Sequence, residues 1–382
     1  MTENLLLGGL VAFCITFYAI PKVIKIANLK KLFDIPDERK LHKEPIPSLG
    51  GVGIFAGFIL SLLLIGIIEP INYLQYFILA FFVVFFFGIK DDLVSLPPQK
   101  KMFGQVLASI ILIWKANILL TNMHGFLGIH SLNGTISYVL TVLTIIVIMN
   151  AYNLIDGIDG LAATISIITS GVFAWFFYAN GDFTYALMGF AFAGSLFAFL
   201  IFNFPPAKIF MGDTGSMLCG VVNAILVIHF IETGTSSKIF QVTASPALGF
   251  GILIMPLLDT LRVFSIRILN GKSPFFPDRN HLHHILLDRG LSHKVITMIM
   301  GLSAIAFIVL TYIALPMGTT AIILSQIGLF FFGVFFLQIT AKKNKAKLQV
   351  LNGEDDITLR KKIKHVVTLI TAKEQHTTMV EK

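Results

Sequence analysis

Long apolar runs constrain the fold of this chain more than any other feature. A helix needs roughly 17–25 apolar residues to cross a bilayer. Eleven segments meet that need, near 5–27, 50–68, 73–89, 104–120, 135–150, 161–179, 183–202, 216–231, 246–267, 295–315 and 319–340. With 55% hydrophobic and 13% charged residues, the chain is too apolar for a soluble protein. We predict an all-α, polytopic integral membrane protein with about 11 transmembrane helices.

Basic residues are concentrated in alternate loops. The loops after odd-numbered spans and the chain after the last span hold most of them, whereas the opposite loops contain one cation, Lys238. The positive-inside rule then predicts that the N-terminus is outside and the C-terminus is cytoplasmic. The net charge of +8 is therefore explained by membrane topology, and no nucleic-acid partner is expected. We expect a transmembrane domain with cytoplasmic catalytic loops over 1–340 and a polar cytoplasmic tail over 341–382.

The first polar cluster is the acidic pair Asp91 and Asp92 in GIKDDLVSLPPQKK, directly after an apolar run. Adjacent carboxylates repel each other, which raises a pKa or requires a cation. One interpretation is a solvated helix end. The other is metal binding or proton abstraction.

The second cluster, in NAYNLIDGIDGLA, contains Asn153, Asp156 and Asp159. A spacing of three predicts that the three side chains share one helix face at the start of the sixth span. Helix capping explains one of them but not three, and the glycines at 157 and 160 allow a ligand to approach the backbone. The cluster indicates a binding site.

The third cluster is NFPPAKIFMGDTGSM, in which Asp213, Thr214 and Ser216 precede the eighth span. Free backbone N–H groups at a helix start form an anion site, and Asp213 offers a hard oxygen ligand for Mg²⁺. An ordinary helix cap is the alternative. The string is more specific than a cap requires, so we favour a functional site.

The fourth cluster is a loop with the sequence SPFFPDRNHLHHILLDRGLSHK, in which Arg279 accompanies His281, His283 and His284. Three histidines are compatible with zinc. However, no cysteine is nearby and the carboxylates above suit Mg²⁺, so phosphate or sugar-hydroxyl contacts are the favoured interpretation. A weaker element, KLHKEPIPSLGG, contains Lys43. By itself, its positive charge is explained by membrane topology.

Together, these groups are the components of phosphoryl transfer. That chemistry depends on carboxylates that bind a divalent ion and on cations and amides that neutralise phosphate charge. The chain has no GxxxxGK[ST] loop and no kinase signature. Because the clusters lie at one membrane face, we expect one soluble nucleotide substrate and one lipid substrate.

The motifs KDD, NLIDGIDGLA, NFPPAKIFMGDTGS and PDRNHLHH, in that order, resemble the polyprenyl-phosphate N-acetylhexosamine-1-phosphate transferases. Within this family the chain is most similar to the undecaprenyl-phosphate N-acetylglucosamine-1-phosphate transferases. The pentapeptide branch has three consecutive histidines followed by Glu, whereas here Leu282 interrupts the histidines. The resemblance implies a multi-pass enzyme of the bacterial plasma membrane, working at the cytoplasmic face with Mg²⁺, or Mn²⁺ as the alternative ion.

The implied reaction joins the sugar phosphate of a UDP-N-acetylhexosamine to polyprenyl phosphate and releases UMP. The resemblance assigns Asp91 and Asp92 to catalysis at the lipid phosphate, and Asp213 and Asp92 to the metal. It also assigns nucleotide binding to Lys43, Asn153, Asp156, Asp159, Asn203 and Phe210, with Phe210 stacking on uracil. Arg279, His281, His283 and His284 are assigned to phosphate and sugar binding. A homodimer is left open.

Three alternatives remain at this stage. A nucleotide-sugar or anion transporter also carries polar residues and broken helices in its membrane segments. Against a transporter, the acids gather at one face, not at the midplane. Within the transferase family, the sugar could be another N-acetylhexosamine or the muramoyl pentapeptide. The reaction could also proceed by double displacement through an aspartyl phosphate.

Overall fold

The computed structural model describes residues 2–34, 46–237, 239–273 and 280–340. Predictions about Lys43, Lys238, Arg279 and the tail therefore concern residues outside the described ranges. The chain divides into one compact unit from Met1 to Gly328 and a second that begins at Leu329. The elements below belong to the first unit, apart from the last residues of the final helix.

Helices account for most of the described chain. They are α1 Thr2–Lys30, α2 Gly50–Ile68, α3 Leu74–Val94, α4 Pro98–Ala116, α5 Gly134–Ile155, α6 Leu161–Ala179, α7 Phe183–Asn203, α8 Gly212–Gly234, α9 Ser245–Ile252, α10 Ile254–Leu269, α11 Leu282–Leu287, α12 His293–Ala314 and α13 Thr319–Thr340. A short 3-10 turn, Leu315–Met317, joins the last two.

Every predicted span coincides with one of these helices or, for the ninth, with a pair. Eight of the helices in the described ranges are long and apolar enough to cross a membrane, and the pair α9–α10, bent by 78°, raises that number to nine. The helices α3 and α4 are also long, but each has charged residues at its ends, among them Lys90 and Lys115. The chain is thus a multi-pass membrane protein, while the count of eleven crossings stays a prediction.

Two small hairpins refine the all-α prediction. Strands β1 (Phe33–Asp34) and β2 (Ile46–Pro47) pair antiparallel, as do β3 (Asn122–Phe126) and β4 (Ile129–Ser131). Both lie in loops that join helices, where backbone N–H and C=O groups without helical partners need each other. With two to five residues each, these strands are too short to be recognised reliably from periodicity in the sequence.

The helix α8 lies at the centre of the bundle. It packs against α2, α3, α5 and α6, and 89% of the residues in its apolar 18-residue stretch are buried. Polar side chains join it to its neighbours: Asn223 accepts a hydrogen bond from Thr169 at 2.7 Å, and the Thr169 hydroxyl lies 2.8 Å from that of Tyr152. Such bonds fix helix positions where no water competes. The N-terminus of α8 is thereby held beside the ends of α3 and α5.

Candidate active site

The N-terminus of α8 is capped by a carboxylate from α3. Asp92 accepts hydrogen bonds from the backbone N–H of Asp213 at 2.6 Å and of Thr214 at 3.1 Å, and from the Thr214 hydroxyl at 2.5 Å. The positive end of the helix dipole favours an anion at this position. The free anion site expected here is therefore occupied by Asp92, so these two amides are not available to a substrate phosphate.

Lys101, in the first turns of α4, lies between two carboxylates. Its Nζ contacts Oδ2 of Asp91 and lies 3.1 Å from Oδ2 of Asp213. Burial raises the pKa of Asp91 to about 6, and the neighbouring Asp213 adds to the shift. Burial lowers the pKa of Lys101, but the charges of Asp213 and Asp91 outweigh it and the net shift is upward. An ammonium group thus occupies the position between the carboxylates where a cation is required.

Further acidic charge surrounds this ion pair. Burial raises the pKa of Asp92 to about 7, against the hydrogen bonds from Thr214. Burial also raises the pKa of Asp156 to about 8, and the charges of Asp213 and Asp92 add to the effect. Burial is the main cause of both shifts, and the repulsion between these carboxylates and Asp213 adds to it. A divalent cation would relieve that repulsion.

Asn153 connects the second polar cluster to the third. It lies in the last turn of α5, and its Nδ2 donates to Oδ1 of Asp213 and, at 3.0 Å, to Oγ of Ser216. The structure therefore brings the predicted residues of α5 and α8 into direct contact. The side-chain amide of Asn153 orients the carboxylate of Asp213.

The prediction that Asn153, Asp156 and Asp159 share one helix face was wrong. The helix α5 ends at Ile155, and α6 begins only at Leu161. The chain between them is a turn in which Gly160 adopts a φ of +76°, a left-handed conformation that glycine allows and an α-helix does not. The three polar side chains come instead from a helix end and a turn.

Asp159 links this turn to two other segments. Its Oδ2 accepts the backbone N–H of Ala207 at 3.2 Å and lies 3.4 Å from Nδ1 of His293. Its backbone carbonyl accepts a hydrogen bond from the Thr297 hydroxyl at 2.9 Å. The start of α12 is thus fastened to the acidic turn.

The segment from 203 to 211 is fixed on both sides. Oδ1 of the buried Asn203 accepts the N–H of Gly160 at 2.9 Å, and its Nδ2 donates to the carbonyl of Ile209 at 2.8 Å. The N–H of Phe210 donates to the carbonyl of Pro47 at 2.7 Å. Both polar atoms of Asn203 are therefore engaged in holding loops together around the predicted nucleotide site.

Glycines allow α2 to begin directly against α8. The N–H of Gly51 donates to the carbonyl of Met211 at 2.8 Å, and a Cβ on Gly51 would lie 2.2 Å from the backbone nitrogen of Gly215. Gly212 has a φ of +73°, and a Cβ there would lie 2.1 Å from the carbonyl oxygen of Ser48. The PIPSLGG segment therefore packs against the GDTGS segment through backbone contacts that a side chain would prevent.

The histidine cluster lies against the acidic turn. His281 precedes α11, and its Nδ1 lies 2.9 Å from Oδ2 of Asp259. The buried His283 packs on Gly157, where a Cβ would lie 2.3 Å from Nε2. Burial lowers the pKa of His283 to about 3, with His284 adding to the shift, and its Nδ1 has no hydrogen-bond partner in the described part of the chain. A buried, neutral imidazole with a free nitrogen suits a ligand contact.

The carboxylates can be tested for their fit to Mg²⁺. Across the described ranges, no three His, Cys, Asp or Glu side chains are grouped so as to hold a metal ion. Mg²⁺ does not need such a cage, because it is commonly bound by one or two carboxylates together with substrate phosphates. Asp91 and Asp213 already converge on one cation, the Lys101 ammonium. Asp92 accepts three hydrogen bonds of the roughly four that a carboxylate can accept.

Three residues of this site were missing from the sequence prediction. Lys101 was attributed to membrane topology, although it follows the acidic pair in the same motif. Asp259 was overlooked, although an ionisable residue inside an apolar span is itself a functional signal. His293 had no signal beyond its position near the histidine cluster. The structure brings Asp91, Asp92, Asn153 and Asp213 together and places the histidines against the neighbouring turn.

Comparison with known proteins identifies the family. The profile of glycosyl transferase family 4 matches residues 74–231. An undecaprenyl-phosphate alpha-N-acetylglucosaminyl 1-phosphate transferase of Haemophilus influenzae is 31% identical over 347 residues, covering 87% of this chain and 93% of the relative. The chain belongs to glycosyl transferase family 4. The resemblance drawn from the motifs is thus confirmed.

Other relatives of this glycosyl transferase family 4 member agree. A probable undecaprenyl-phosphate N-acetylglucosaminyl 1-phosphate transferase of Bacillus subtilis is 31% identical, covering 90% of this chain and 94% of the relative. A decaprenyl-phosphate N-acetylglucosaminephosphotransferase of Mycobacterium leprae is 32% identical, covering 78% of this chain and 81% of the relative. The matched family segment contains Asp91, Lys101, Asn153 and Asp213, whereas the histidine cluster follows it.

Proposed function

We propose that this protein transfers N-acetylglucosamine 1-phosphate from UDP-N-acetylglucosamine to a polyprenyl phosphate and releases UMP. The names of the relatives from Haemophilus influenzae and Bacillus subtilis support this substrate pair. The observation that carries the proposal is that Asp91 from α3 and Asp213 from α8 converge on one cationic position beside Asn153. Family membership also favours transfer over transport, because the matched profile is that of a glycosyl transferase.

The ion that fits this site is Mg²⁺, with Mn²⁺ as the alternative. Asp213 and Asp91 would hold it, and Asp92 would contribute through its remaining acceptor capacity. When bound, Mg²⁺ would neutralise charge on the diphosphate of the sugar nucleotide. Asn153 orients the Asp213 carboxylate, and Asp92 keeps that carboxylate at the start of α8.

The acceptor would bind beside Asp91 and Lys101. A phosphate monoester has a second pKa of about 6 and is mostly dianionic at neutral pH, so it needs little help from a base. One of its oxygens forms the new bond to the phosphorus that bears the sugar. The bond from that phosphorus to the oxygen of UMP breaks, and UMP leaves. Asp91 and Asp92 would orient the acceptor, and Lys101 would neutralise part of its charge. Direct attack by the lipid phosphate is our preferred route.

The donor would lie across the turn between α5 and α6. Asp156 and Asp159 would bind the uridine, and Phe210 would stack on its ring; Lys43 and Asn203 would line the same site. His281, His283 and His284 with Arg279 would bind the diphosphate and the sugar. The free Nδ1 of the buried His283 supports the contact from that side.

We further propose that the site faces the cytoplasm of a bacterial cell at its plasma membrane. Support comes from the charge pattern: the loops after odd-numbered spans and the chain after the last span hold most of the lysines and arginines. The sugar nucleotide is a soluble cytoplasmic compound, so the same side is required by the chemistry. A homodimer stays a prediction.

The deciding experiment is UMP release by the purified protein with undecaprenyl phosphate, Mg²⁺ and a panel of UDP-sugars. UDP-N-acetylglucosamine should give the highest kcat/KM. Highest activity with another N-acetylhexosamine or with the muramoyl pentapeptide would keep the reaction and change the sugar. No UMP release with any donor, together with uptake of a UDP-sugar into proteoliposomes, would replace the transferase by a transporter.

A further inference from the structure

Asp259 is a buried carboxylate that the reaction above does not use. It lies in α10, after the 78° bend between α9 and α10, and is 1% exposed. An isolated charge at such a position is costly, so its partners explain why it is tolerated. Two of its three partners lie in the segment that carries the histidine cluster, and the third, Arg262, lies in α10.

The two oxygens of Asp259 have different partners. Oδ1 accepts the backbone N–H of Leu282 at 2.8 Å and lies 3.2 Å from Nη2 of Arg262. Oδ2 lies 2.9 Å from Nδ1 of His281. The same Nη2 of Arg262 also donates to the backbone carbonyl of Asn280. One carboxylate and one guanidinium thus fasten three consecutive residues of the loop to α10.

The contact with His281 has a chemical consequence. A carboxylate only accepts hydrogen bonds, so Nδ1 of His281 must carry the proton. The opposite nitrogen, Nε2, is then the atom left for a ligand, and the ring is held in one orientation. His281 is itself 5% exposed, and its ring is parallel to that of His283, with centroids 5.5 Å apart.

We infer that Asp259 is a positioning residue for the transfer reaction, and that it acts through His281 by fixing the protonated ring nitrogen and the ring orientation. The inference rests on the proposed function, in which His281 contacts the diphosphate or sugar. Loss of the partner that orients a metal-binding histidine typically costs about 10–100-fold in affinity or activity. We expect an effect of about that size here, where the histidine contacts the substrate instead of a metal.

The division of contacts makes Asp259→Asn a selective test. The amide oxygen can keep the Oδ1 contacts with Leu282 and Arg262, while the NH₂ group replaces the oxygen that accepts from Nδ1 of His281. We expect kcat/KM for UMP release to fall about 10–100-fold. In a His281→Gln background, the same substitution should cost less than about 3-fold, because the group through which it acts is already lost. Equal losses in both backgrounds would overturn the inference and leave a merely structural role.

A matched control lies at the other end of the helices. Asp182 also accepts from a histidine, with its Oδ2 2.7 Å from Nε2 of His229, and its Oδ1 caps α7. Asp182→Asn removes the same kind of pair away from the site, so UMP release should be unchanged. A loss equal to that of Asp259→Asn would show that the assay reports general damage, and the inference would fall.

A spectroscopic measurement keeps the test independent of the stability of Asp259→Asn. Nitrogen NMR of the wild-type protein labelled in its histidines should show His281 protonated on Nδ1, with the signal assigned through His281→Gln. Protonation on Nε2 would refute the inference. If the wild type shows the Nδ1 form but releases no UMP from any donor, the proposed function fails and the Asp259–His281 contact stands.

Discussion

The carboxylate of Asp92 accepts the backbone N–H of Asp213 at 2.6 Å, so the last turn of α3 caps the first turn of α8. This contact ties two segments that are far apart in the sequence and places Asp213 beside Asp91. Asp91 and Asp92 therefore have different roles. Asp92 mainly organises the start of α8, whereas Asp91 faces Lys101 and the shared cationic position.

Replacing Asp92 tests that division. We expect Asp92→Asn to lower the free energy of unfolding by about 1.5–3 kcal/mol, the range for hydrogen bonds to a charged group. Asn keeps one acceptor oxygen but presents an NH₂ group to the N–H groups of α8. Thermal unfolding in detergent gives the measurement. An unfolding midpoint equal to that of the wild type would show that the cap contributes no stability.

Asp213 should behave in the opposite way. Asp213→Asn should lower UMP release by at least about 10³-fold, or about 4 kcal/mol of transition-state stabilisation, because it removes a charge from the metal position. Most of the stability should remain, because Asn has the size of Asp and keeps one oxygen that can accept from Asn153. Activity near that of the wild type would refute the assignment of Asp213 to the metal.

Mg²⁺ binding should depend on pH. The pKa is about 6 for Asp91 and about 7 for Asp92, so lowering the pH through this range protonates both and should weaken Mg²⁺ binding. Without Mg²⁺ the sign for stability is also set. Both pKa values lie above the ordinary value, so the free protein should lose stability as the pH rises through about 6–7. Calorimetric Mg²⁺ titrations at several pH values check the prediction about binding, and a Mg²⁺ affinity that does not depend on pH would contradict it.

Lys101 should matter most when no metal is bound. Lys101→Met leaves Asp91 and Asp213 without their shared cation. We expect a loss of about 1–2 kcal/mol without Mg²⁺, less than the 3–5 kcal/mol of a fully buried pair because the Lys101 side chain is 27% exposed. Saturating Mg²⁺ should reverse part of the fall in the unfolding midpoint of Lys101→Met.

The neighbouring Lys100 provides the control for that substitution. It is exposed, and it precedes Lys101 in the same turn of α4. Lys100→Met should leave the unfolding midpoint unchanged at every Mg²⁺ concentration. If the two variants behaved alike, the effect of Lys101→Met would reflect net charge and not the carboxylate pair.

The contact between α2 and α8 can be tested with one methyl group. In Gly51→Ala the new Cβ meets the backbone nitrogen of Gly215 at 2.2 Å, so α2 must shift. Overpacking of this kind costs about 1–3 kcal/mol, and UMP release should also fall because the start of α8 moves. Gly171→Ala in α6 is the matched control, since no atom lies within 4 Å of its new Cβ. An unfolding midpoint for Gly51→Ala equal to that of the control would refute the close packing.

The membrane class, the approximate positions of the long helices and the family could all be predicted from the sequence. Long apolar runs have few alternatives to helices, because every backbone polar group must be satisfied within the bilayer. Motifs of acidic, amide and histidine residues mark chemistry even when their geometry is unknown. For this reason Asp91, Asp156, Asp213 and His283 could be predicted as site residues from the sequence.

The contacts of those residues could not be predicted in the same way, because they depend on how the chain folds. That Asp92 caps α8, that Lys101 lies between Asp91 and Asp213, and that Asp259 supports His281 are relations between segments distant in the chain. Local periodicity says nothing about such pairs, since they depend on how the helices pack. The turn at Gly160 illustrates the same limit, because a spacing of three predicts a helix face only where the helix continues.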